Sequence, residues 1–482
     1  MKKMKQILFW AAIVLLFAAC REKGEIISPE DTTIPEEVVL PIPEIEWTWE
    51  KPEDLRAINV YLGFEQDPSG VTKTELEDLW HNAGRIMIPY IGYKKNQYGN
   101  SIPSGIIKML RCSRRPDSTQ VEVERYAGLS NDEVALLIEK MQNDTNYCDF
   151  SELKKSMDYF LCKGRAVCVD VHEFIGYFLY TNPANEDELL KSARLKSYAV
   201  QDACRIERLV RHCLLYGNNQ TNEYDESLFG DEQKKVLFKE FHLQLSRFLA
   251  NNYQKQVKEG NVLLEILNEP KDERWESLQL RVARAISNKF PDLYLGIRPN
   301  QSYSVNCLRN TWFEPSDYAS MKTVTFLNFW FMERPDLKAS PLEFTIQYET
   351  FEDFREGKNV EFNIFGGTAA SLYADAEYRI TPELLEEEFS MTADDWASKN
   401  NTKVFFAELG CIRYADPEGQ YFLYCLRYGQ KYGIGIALFE VGAKYFFQYD
   451  GDVPFYLNDK NWAGFKYLQM DPGEIAFEEP LW

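Results

Sequence analysis

Two short apolar segments that each end in a glutamate constrain the fold of this chain more than any other feature. The first is 262–270, in which an aliphatic run breaks off into Asn268-Glu269-Pro270. The second is 404–410, which ends in Glu408, a leucine and a glycine. Short apolar runs bounded by turn residues predict buried strands. In a (β/α)8 barrel the carboxyl ends of the strands line the functional site, so both glutamates are expected at that end.

The remaining chain alternates between strand-like and helix-like segments, which favours a parallel α/β architecture. A helix is predicted over 71–83 with Gly84 at its end, and another near 382–399. The sequence therefore predicts one (β/α)8 TIM barrel over residues 51–482, with long insertions after strands 2, 3 and 6. The other six predicted strands are 57–62, 85–90, 166–172, 293–297, 323–331 and 434–441.

The N-terminus has the pattern of a targeting segment. Three lysines precede an apolar run over 7–19, which is followed by Cys20. Residues 1–20 resemble a bacterial lipoprotein signal, in which the cysteine is lipidated, although Phe17 stands where leucine is usual; an ordinary secretory signal is the alternative. Residues 21–50 are acidic and proline-containing, which predicts a tether. We expect an exported lipoprotein at the outer membrane or cell surface, in contact with the membrane through this anchor only.

Charge and composition narrow the class of ligand. The formal net charge of −21 argues against nucleic acid and against polyanionic substrates, because both would be repelled. A neutral ligand is favoured. Aromatic residues make up 14% of the chain, which suits either a groove that stacks sugar rings or an ordinary core. The four histidines show no HExxH or other metal spacing, so no metal and no cofactor are expected.

Paired carboxylates at strand ends are the groups that glycoside hydrolysis requires. In a retaining mechanism one carboxyl group is protonated and gives its proton to the leaving oxygen, while the other is ionised and attacks the anomeric carbon. Two carboxyl groups about 5 to 5.5 Å apart achieve this division. Glu269 and Glu408 are the candidates for the pair.

The element order and these motifs resemble glycoside hydrolase family 5, the cellulase-like branch of the clan A barrels, over roughly residues 55–465. The resemblance implies that Glu269 is the acid/base and Glu408 the nucleophile, with Asn268 bonding the sugar 2-hydroxyl. It also implies that His172, in Val169-Asp-Val-His172, contacts the sugar or orients the catalytic pair. A lone strand histidine can equally be a satisfied core residue.

The chain departs from the family pattern at three places around one subsite. The family arginine lies directly before Ile-Pro in strand 2, whereas Arg85 comes earlier on the same strand and either substitutes for it or does not make the same interaction. The family His-x-Tyr after strand 6 is replaced by Asn328-Phe-Trp330, which removes a hydroxyl group beside the nucleophile. The strand 8 tryptophan is replaced by Phe439, which stacks with a smaller face. We expect Arg85, Asn328, Trp330 and Phe439 to contact substrate.

Three interpretations follow from these observations. The first is a retaining glycosidase that cleaves a β-linked neutral polysaccharide such as β-glucan, xyloglucan or β-mannan. The second is a catalytically weak or inert barrel that acts as a surface glycan-binding lipoprotein and supplies neighbouring glycan-uptake proteins. In the third, Glu269 and Glu408 are only structural, which leaves two strand-end carboxylates without a purpose.

Overall fold

Eight parallel strands close into a barrel in the computed structural model of this chain. Each strand is hydrogen-bonded to two neighbours, in the order β1-β8-β7-β6-β5-β4-β3-β2. This arrangement confirms the predicted (β/α)8 fold class. The barrel strands, numbered in chain order, are β1 (Arg56–Tyr61), β2 (Ala83–Met87), β3 (Ala166–Asp170), β4 (Val262–Glu265), β5 (Tyr294–Ile297), β6 (Thr323–Phe329), β7 (Val404–Leu409) and β8 (Gly435–Leu438).

The structure describes only part of the chain, and its helices and strands lie within the unit Ile42–Trp482. Between β2 and β3 it includes a short pair of antiparallel strands, Tyr93–Lys95 with Ser101–Pro103. Much of the chain after β2, β3 and β6 lies outside the described residues, so the long insertions remain predictions. The described residues are 41–66, 71–88, 93–95, 101–103, 131–172, 174, 228–270, 272–300, 307–310, 313–329, 382–410, 419–439, 441 and 460–475.

Helices connect the strands and cover the outside of the barrel. The N–H groups of Gln233 and Lys234 donate to the Asp231 carboxylate, which satisfies the open end of the longest described helix. Within the described residues, no helix has the length and apolar character to cross a membrane. The α-helices are α1 (Val71–Glu77), α2 (Asn131–Asn143), α3 (Ser151–Leu161), α4 (Glu232–Asn252), α5 (Gln254–Glu259), α6 (Trp275–Ser287), α7 (Cys307–Asn310), α8 (Pro382–Ser390), α9 (Gln420–Tyr432) and α10 (Phe465–Gln469).

The predicted helix near 382–399 is present, and the one over 71–83 is shorter than predicted. The first continues from α8 as a π-helix over Met391–Ala397. The second ends at Glu77, and Gly84 belongs to β2 rather than to a helix end. A Cβ atom on Gly84 would lie 2.5 Å from the ring of Phe160 in α3. Glycine is therefore required by close packing of strand and helix, which local sequence does not reveal.

The barrel interior changes from apolar to polar along its axis. Residues at i and i+2 of a strand face the same side. At the amino end of the strands the inner layer is formed by Ala57, Ala83 and Ala166, which lie level with one another. The next residues on the inner face of β1 and β2 are Asn59 and Arg85. The polar side chains thus gather at the carboxyl end, where barrel sites are built.

Trp49 closes the amino end of the barrel. Its ring is fully buried and lies 4.9 Å from that of Phe405 and 5.7 Å from that of Phe326, measured between centroids. Its indole N–H donates to the Val167 carbonyl at 3.1 Å. Its backbone N–H donates to Gly260. The packed body therefore begins before residue 51, within the last residues of the predicted tether.

We expect Trp49→Ala to lower the free energy of unfolding by about 3–5 kcal/mol, the usual cost of truncating a buried aromatic ring. Trp47→Ala is the matched control, because Trp47 is only partly buried at the same end of the barrel. Urea unfolding followed by circular dichroism measures both. Equal losses in the two variants would contradict the role given to Trp49.

Candidate active site

Arg85 lies at the centre of the polar layer and is fully buried. Its Nε and Nη2 atoms donate to the two carboxylate oxygens of Glu265, at 2.7 and 3.0 Å. Nη1 donates to Asn59 Oδ1 at 2.7 Å and to Glu408 Oε1 at 3.0 Å. Nη2 also contacts Asn268 Oδ1. All five N–H groups thus face protein acceptors. Arg85 thereby holds the side chains of two predicted site residues, Glu408 and Asn268.

Glu408 faces the barrel interior because β7 contains a β-bulge. Leu327 pairs with Phe406, yet the next residue of β6, Asn328, pairs with Glu408, so β7 has one extra residue. The same shift occurs against β8. Ala407 packs in the interior, and simple alternation would turn Glu408 outward. The bulge turns the Glu408 side chain back toward the barrel interior, and bulges beside functional sites commonly have this effect.

Asn59 supports this bulge from β1. Its Nδ2 donates to the carbonyl of Ala407 at 2.9 Å and to that of Leu438 at 3.2 Å. Its Oδ1 accepts from Arg85. A bulge interrupts the ladder between strands, and one buried amide here satisfies carbonyls on both β7 and β8. Asn59 therefore couples the backbone beneath Glu408 to the arginine that contacts its side chain.

Glu269 lies in the turn that follows β4. Its φ of 41° is in the left-handed region, which a non-glycine residue adopts only when its surroundings hold it there. The turn is anchored by the Asn268 N–H, which donates to the Val171 carbonyl at 3.1 Å. Asn328 Nδ2 donates to Glu269 Oε1 at 2.7 Å. The backbone N–H of Asn268 thus holds this turn against the end of β3, and the side-chain amide of Asn328 holds it against β6.

Glu265 and Arg298 form a buried ion pair between β4 and the end of β5. Arg298 Nε donates to Glu265 Oε1, and Nη2 donates to Asn328 Oδ1 at 3.0 Å. Burial raises the pKa of Glu265, but Arg298 and Arg85 outweigh it and leave that pKa below its ordinary value. Glu265 is therefore a fixed anion that holds two arginines in place.

His172 follows β3 and contacts the same network. Its Nδ1 lies 2.8 Å from Asp170 Oδ2, and that oxygen also pairs with Arg85 Nη2 at 2.9 Å. Burial lowers the pKa of His172, but the negative charges of Asp170 and Glu408 outweigh it and raise the pKa to about 9. His172 is thus a cation near neutral pH, in contact with the carboxylate of Asp170.

The environment of Glu408 contains opposing influences on its charge. Burial raises its pKa, Arg85 lowers it, and the negative charge of Glu269 raises it again, to about 7. Because Glu269 and Glu408 repel each other when both are ionised, a proton bound here belongs to the pair. The two carboxyl groups thus belong to one electrostatic site, in which the charge of Glu269 acts on Glu408.

The structure brings most of the predicted site residues together. Glu269, Glu408, Asn268, His172, Arg85 and Asn328 all lie at the carboxyl end of the barrel, joined through the contacts above. Phe439 directly follows β8, is half-buried, and donates its N–H to the Leu409 carbonyl. Trp330 and Cys20 lie outside the described residues. The sugar contacts expected of these residues remain predictions.

Four residues of the network were missed in the sequence: Asn59, Asp170, Glu265 and Arg298. Each interrupts or directly follows an apolar strand, and that position was the available signal. Charged residues are almost never fully buried unless they are paired. The described part of the chain contains no group of three or more His, Cys, Asp or Glu residues able to hold a metal ion.

Comparisons with known proteins give matches among solved structures only. No protein-family model and no curated protein matches the chain. It is similar to a hyperthermophilic endo-beta-1,4-glucanase solved in complex with substrate, at 14% identity over 85% of this chain and 93% of that chain, with a TM-score of 0.42.

Two further similar structures are also endoglucanases. Endoglucanase Cel5A from the hyperthermophilic Thermotoga maritima is 15% identical over 87% of this chain and 98% of that chain, with a TM-score of 0.44. A GH5-4 broad specificity endoglucanase from Clostridium acetobutylicum is 7% identical, with the same coverages of 87% and 98% and a TM-score of 0.44.

We expect Glu408→Gln to become more stable relative to the wild type as pH rises. The pKa of Glu408 is raised from 4.5 to about 7, so the folded protein binds a proton that the unfolded chain has released across this interval. Folding stability therefore falls as pH rises from 4.5 to 7, by about 3 kcal/mol, and glutamine removes that loss. Thermal unfolding at pH 5 and pH 8 measures the difference; a difference that does not change with pH would contradict the assignment.

Proposed function

We propose that this protein is a retaining glycoside hydrolase that cleaves a β-linked neutral polysaccharide of the β-glucan, xyloglucan or β-mannan type. The observation that carries the proposal is the pair Glu269 and Glu408, two buried carboxyl groups at the carboxyl end of a (β/α)8 barrel, close enough for the charge of Glu269 to raise the pKa of Glu408. Paired carboxyl groups of this kind are the machinery of glycosidases. The resemblance of the sequence to glycoside hydrolase family 5 agrees with this assignment.

The different partners of the two carboxyl groups assign their roles. Glu408 accepts from the Arg85 guanidinium, a permanent cation that favours the ionised form needed for nucleophilic attack and opposes the rise in pKa caused by burial and by the charge of Glu269. Glu269 accepts from the neutral amide of Asn328, which tolerates both the carboxylic acid and the carboxylate. Glu408 is therefore the nucleophile, and Glu269 is the acid/base that changes protonation state during the cycle.

The reaction proceeds in two displacements. Glu408 attacks the anomeric carbon as the glycosidic C–O bond breaks, and Glu269 gives its proton to the leaving oxygen, which leaves a glycosyl ester on Glu408. Glu269, now ionised, takes a proton from water. The resulting hydroxyl attacks the anomeric carbon and breaks the ester bond, which restores both carboxyl groups with the anomeric configuration retained.

The expected location of the protein fits an extracellular polymer as substrate. We propose that the chain is an exported lipoprotein, lipidated at Cys20 and held at the outer membrane or cell surface, where it degrades polysaccharide before uptake by neighbouring proteins. The net charge of −21 favours an uncharged polymer over a polyanionic one. The buried cations Arg85 and Arg298 do not change this preference, because carboxylates already pair with both.

The decisive test is the release of reducing ends by purified protein from β-glucan, xyloglucan, glucomannan, galactomannan and xylan. Glu408→Gln serves as the blank, because an amide at this position removes the nucleophile while conserving the size of the side chain. We expect release from at least one substrate and a loss of at least roughly 10⁴-fold in the blank. If no substrate released reducing ends, but one of the glycans slowed the migration of the protein in affinity electrophoresis, the result would instead indicate a glycan-binding barrel.

The two glutamates are distinguished by their dependence on the leaving group. Glu269→Gln removes the proton donor, so kcat/KM should fall by roughly 10²–10⁴-fold on the polysaccharide but little on a 2,4-dinitrophenyl glycoside, whose leaving group needs no proton. Azide should raise kcat of this variant by attacking the glycosyl ester. Glu408→Gln should show neither effect. Similar losses on both substrates in Glu269→Gln, without azide rescue, would refute the assigned roles.

A further inference from the structure

Arg298, which directly follows β5, is a rigid and fully buried hydrogen-bond donor. Its backbone N–H donates to Gln279 Oε1 at 2.7 Å. Its backbone carbonyl accepts from Trp275 Nε1 at 2.8 Å and from Gln279 Nε2 at 3.0 Å. Its side chain is held by the carboxylate of Glu265. The guanidinium is thus fixed at both ends before it meets Asn328.

Arg298 determines which way the Asn328 amide faces. A guanidinium group can only donate hydrogen bonds, so the group that Asn328 turns toward Arg298 Nη2 must be its carbonyl oxygen. The amide NH2 is then left to face Glu269, and it donates to Oε1 at 2.7 Å. If the amide were reversed, its NH2 group would face the N–H of Arg298. Two buried donors would then face each other, and neither would have an acceptor.

We propose that Arg298 is a positioning residue that fixes, through Asn328, the oxygen of Glu269 from which the catalytic proton leaves. Because Oε1 accepts from the Asn328 amide, it is the carbonyl oxygen of the protonated acid, and the proton resides on Oε2. This inference rests on the proposed function and deepens it. It adds a residue that acts on Glu269 through the side chain of Asn328.

The chemistry requires that the proton occupy one defined oxygen. In the first displacement the Oε2–H bond breaks and the proton passes to the leaving oxygen as the glycosidic bond breaks. In the second, Oε2 takes a proton from the attacking water. Were the Asn328 amide reversed, its oxygen would face Oε1 and would hold the proton there by a hydrogen bond. The acid would then be protonated at an oxygen directed toward Asn328 rather than toward the substrate.

Within this network, the two catalytic glutamates are held by different arginines. Glu265 holds both arginines, and each arginine leads to a different catalytic carboxyl group. Arg85 contacts Glu408 directly, whereas Arg298 is joined to Glu269 through Asn328 and acts on Glu408 through its charge, which lowers the pKa of that carboxyl group. Replacing Arg298 by lysine keeps this charge but removes the contact with Asn328, so it should impair proton donation and leave nucleophilic attack largely intact. A merely structural residue would impair both.

The test compares two aryl glycosides of one disaccharide with different leaving groups. Phenyl and 2,4-dinitrophenyl β-cellobiosides are used, or the mannobiosides if the wild type cleaves mannan. The variant is Arg298→Lys, which keeps a buried cation beside Glu265 but lacks the planar fork that reaches both Glu265 and Asn328. We expect kcat/KM to fall by roughly 10- to 100-fold for the phenyl glycoside and by less than about 3-fold for the dinitrophenyl glycoside.

Two comparisons show whether Arg298 acts through Asn328. Asn328→Leu should reproduce the dependence on the leaving group, and adding Arg298→Lys to it should change the ratio of the two kcat/KM values no further. Arg56→Met is the matched control for a general loss of stability. Arg56 is also buried, but it lies at the opposite end of the barrel and donates to the Met470 carbonyl. This control should lower the rates on both glycosides equally or leave both unchanged.

The outcomes separate this proposal from the proposed function. A folded Arg298→Lys protein that loses equal activity on both glycosides, or none, would overturn the positioning role while the hydrolase assignment stands. Additive effects of Arg298→Lys and Asn328→Leu on the ratio would also overturn it. A folded wild type that is inactive on both glycosides and on all five polysaccharides would remove the proposed function, and this proposal with it.

Discussion

The burial of the Arg85 charge inside the barrel is the constraint on which the rest of the site depends. A guanidinium removed from water costs several kcal/mol unless carboxylates and acceptors surround it. Asp170, Glu265 and Glu408 supply that environment from three strands, and they outweigh the effect of burial, which lowers the Arg85 pKa. Because each acceptor comes from a different strand, closing the barrel and assembling the site are one event.

The two ends of the barrel serve opposite purposes. At the amino end Trp49 packs against apolar residues and its one buried side-chain donor is satisfied by the Val167 carbonyl, which suits stability. At the carboxyl end Glu408 has a raised pKa and Glu269 has a strained backbone, and both conditions oppose stability. The strong packing at one end therefore allows an unfavourable arrangement at the other, a division that proteins commonly use at functional sites.

The sequence predicted the barrel and both glutamates because strand-end carboxylates next to Gly or Pro form a local pattern. Asn59, Glu265 and Arg298 were not predicted, because their importance lies in contacts between residues far apart in the chain. Gly84 was assigned to the wrong element for the same reason, since the ring that excludes a side chain belongs to α3. Local periodicity indicates which face of a helix or strand a residue occupies, but not which residue from elsewhere in the chain contacts it there.

The bulge in β7 makes the orientation of Glu408 depend on the number of residues in the strand as well as on their identity. Ala407 and Glu408 both face inward because one extra residue interrupts the alternation. A chain lacking one residue ahead of Glu408 could restore regular pairing and keep nearly the same composition. It would turn the carboxylate toward the helices. A shift in register would thus remove the proposed nucleophile from the site while Glu408 and every residue around it remain in the sequence.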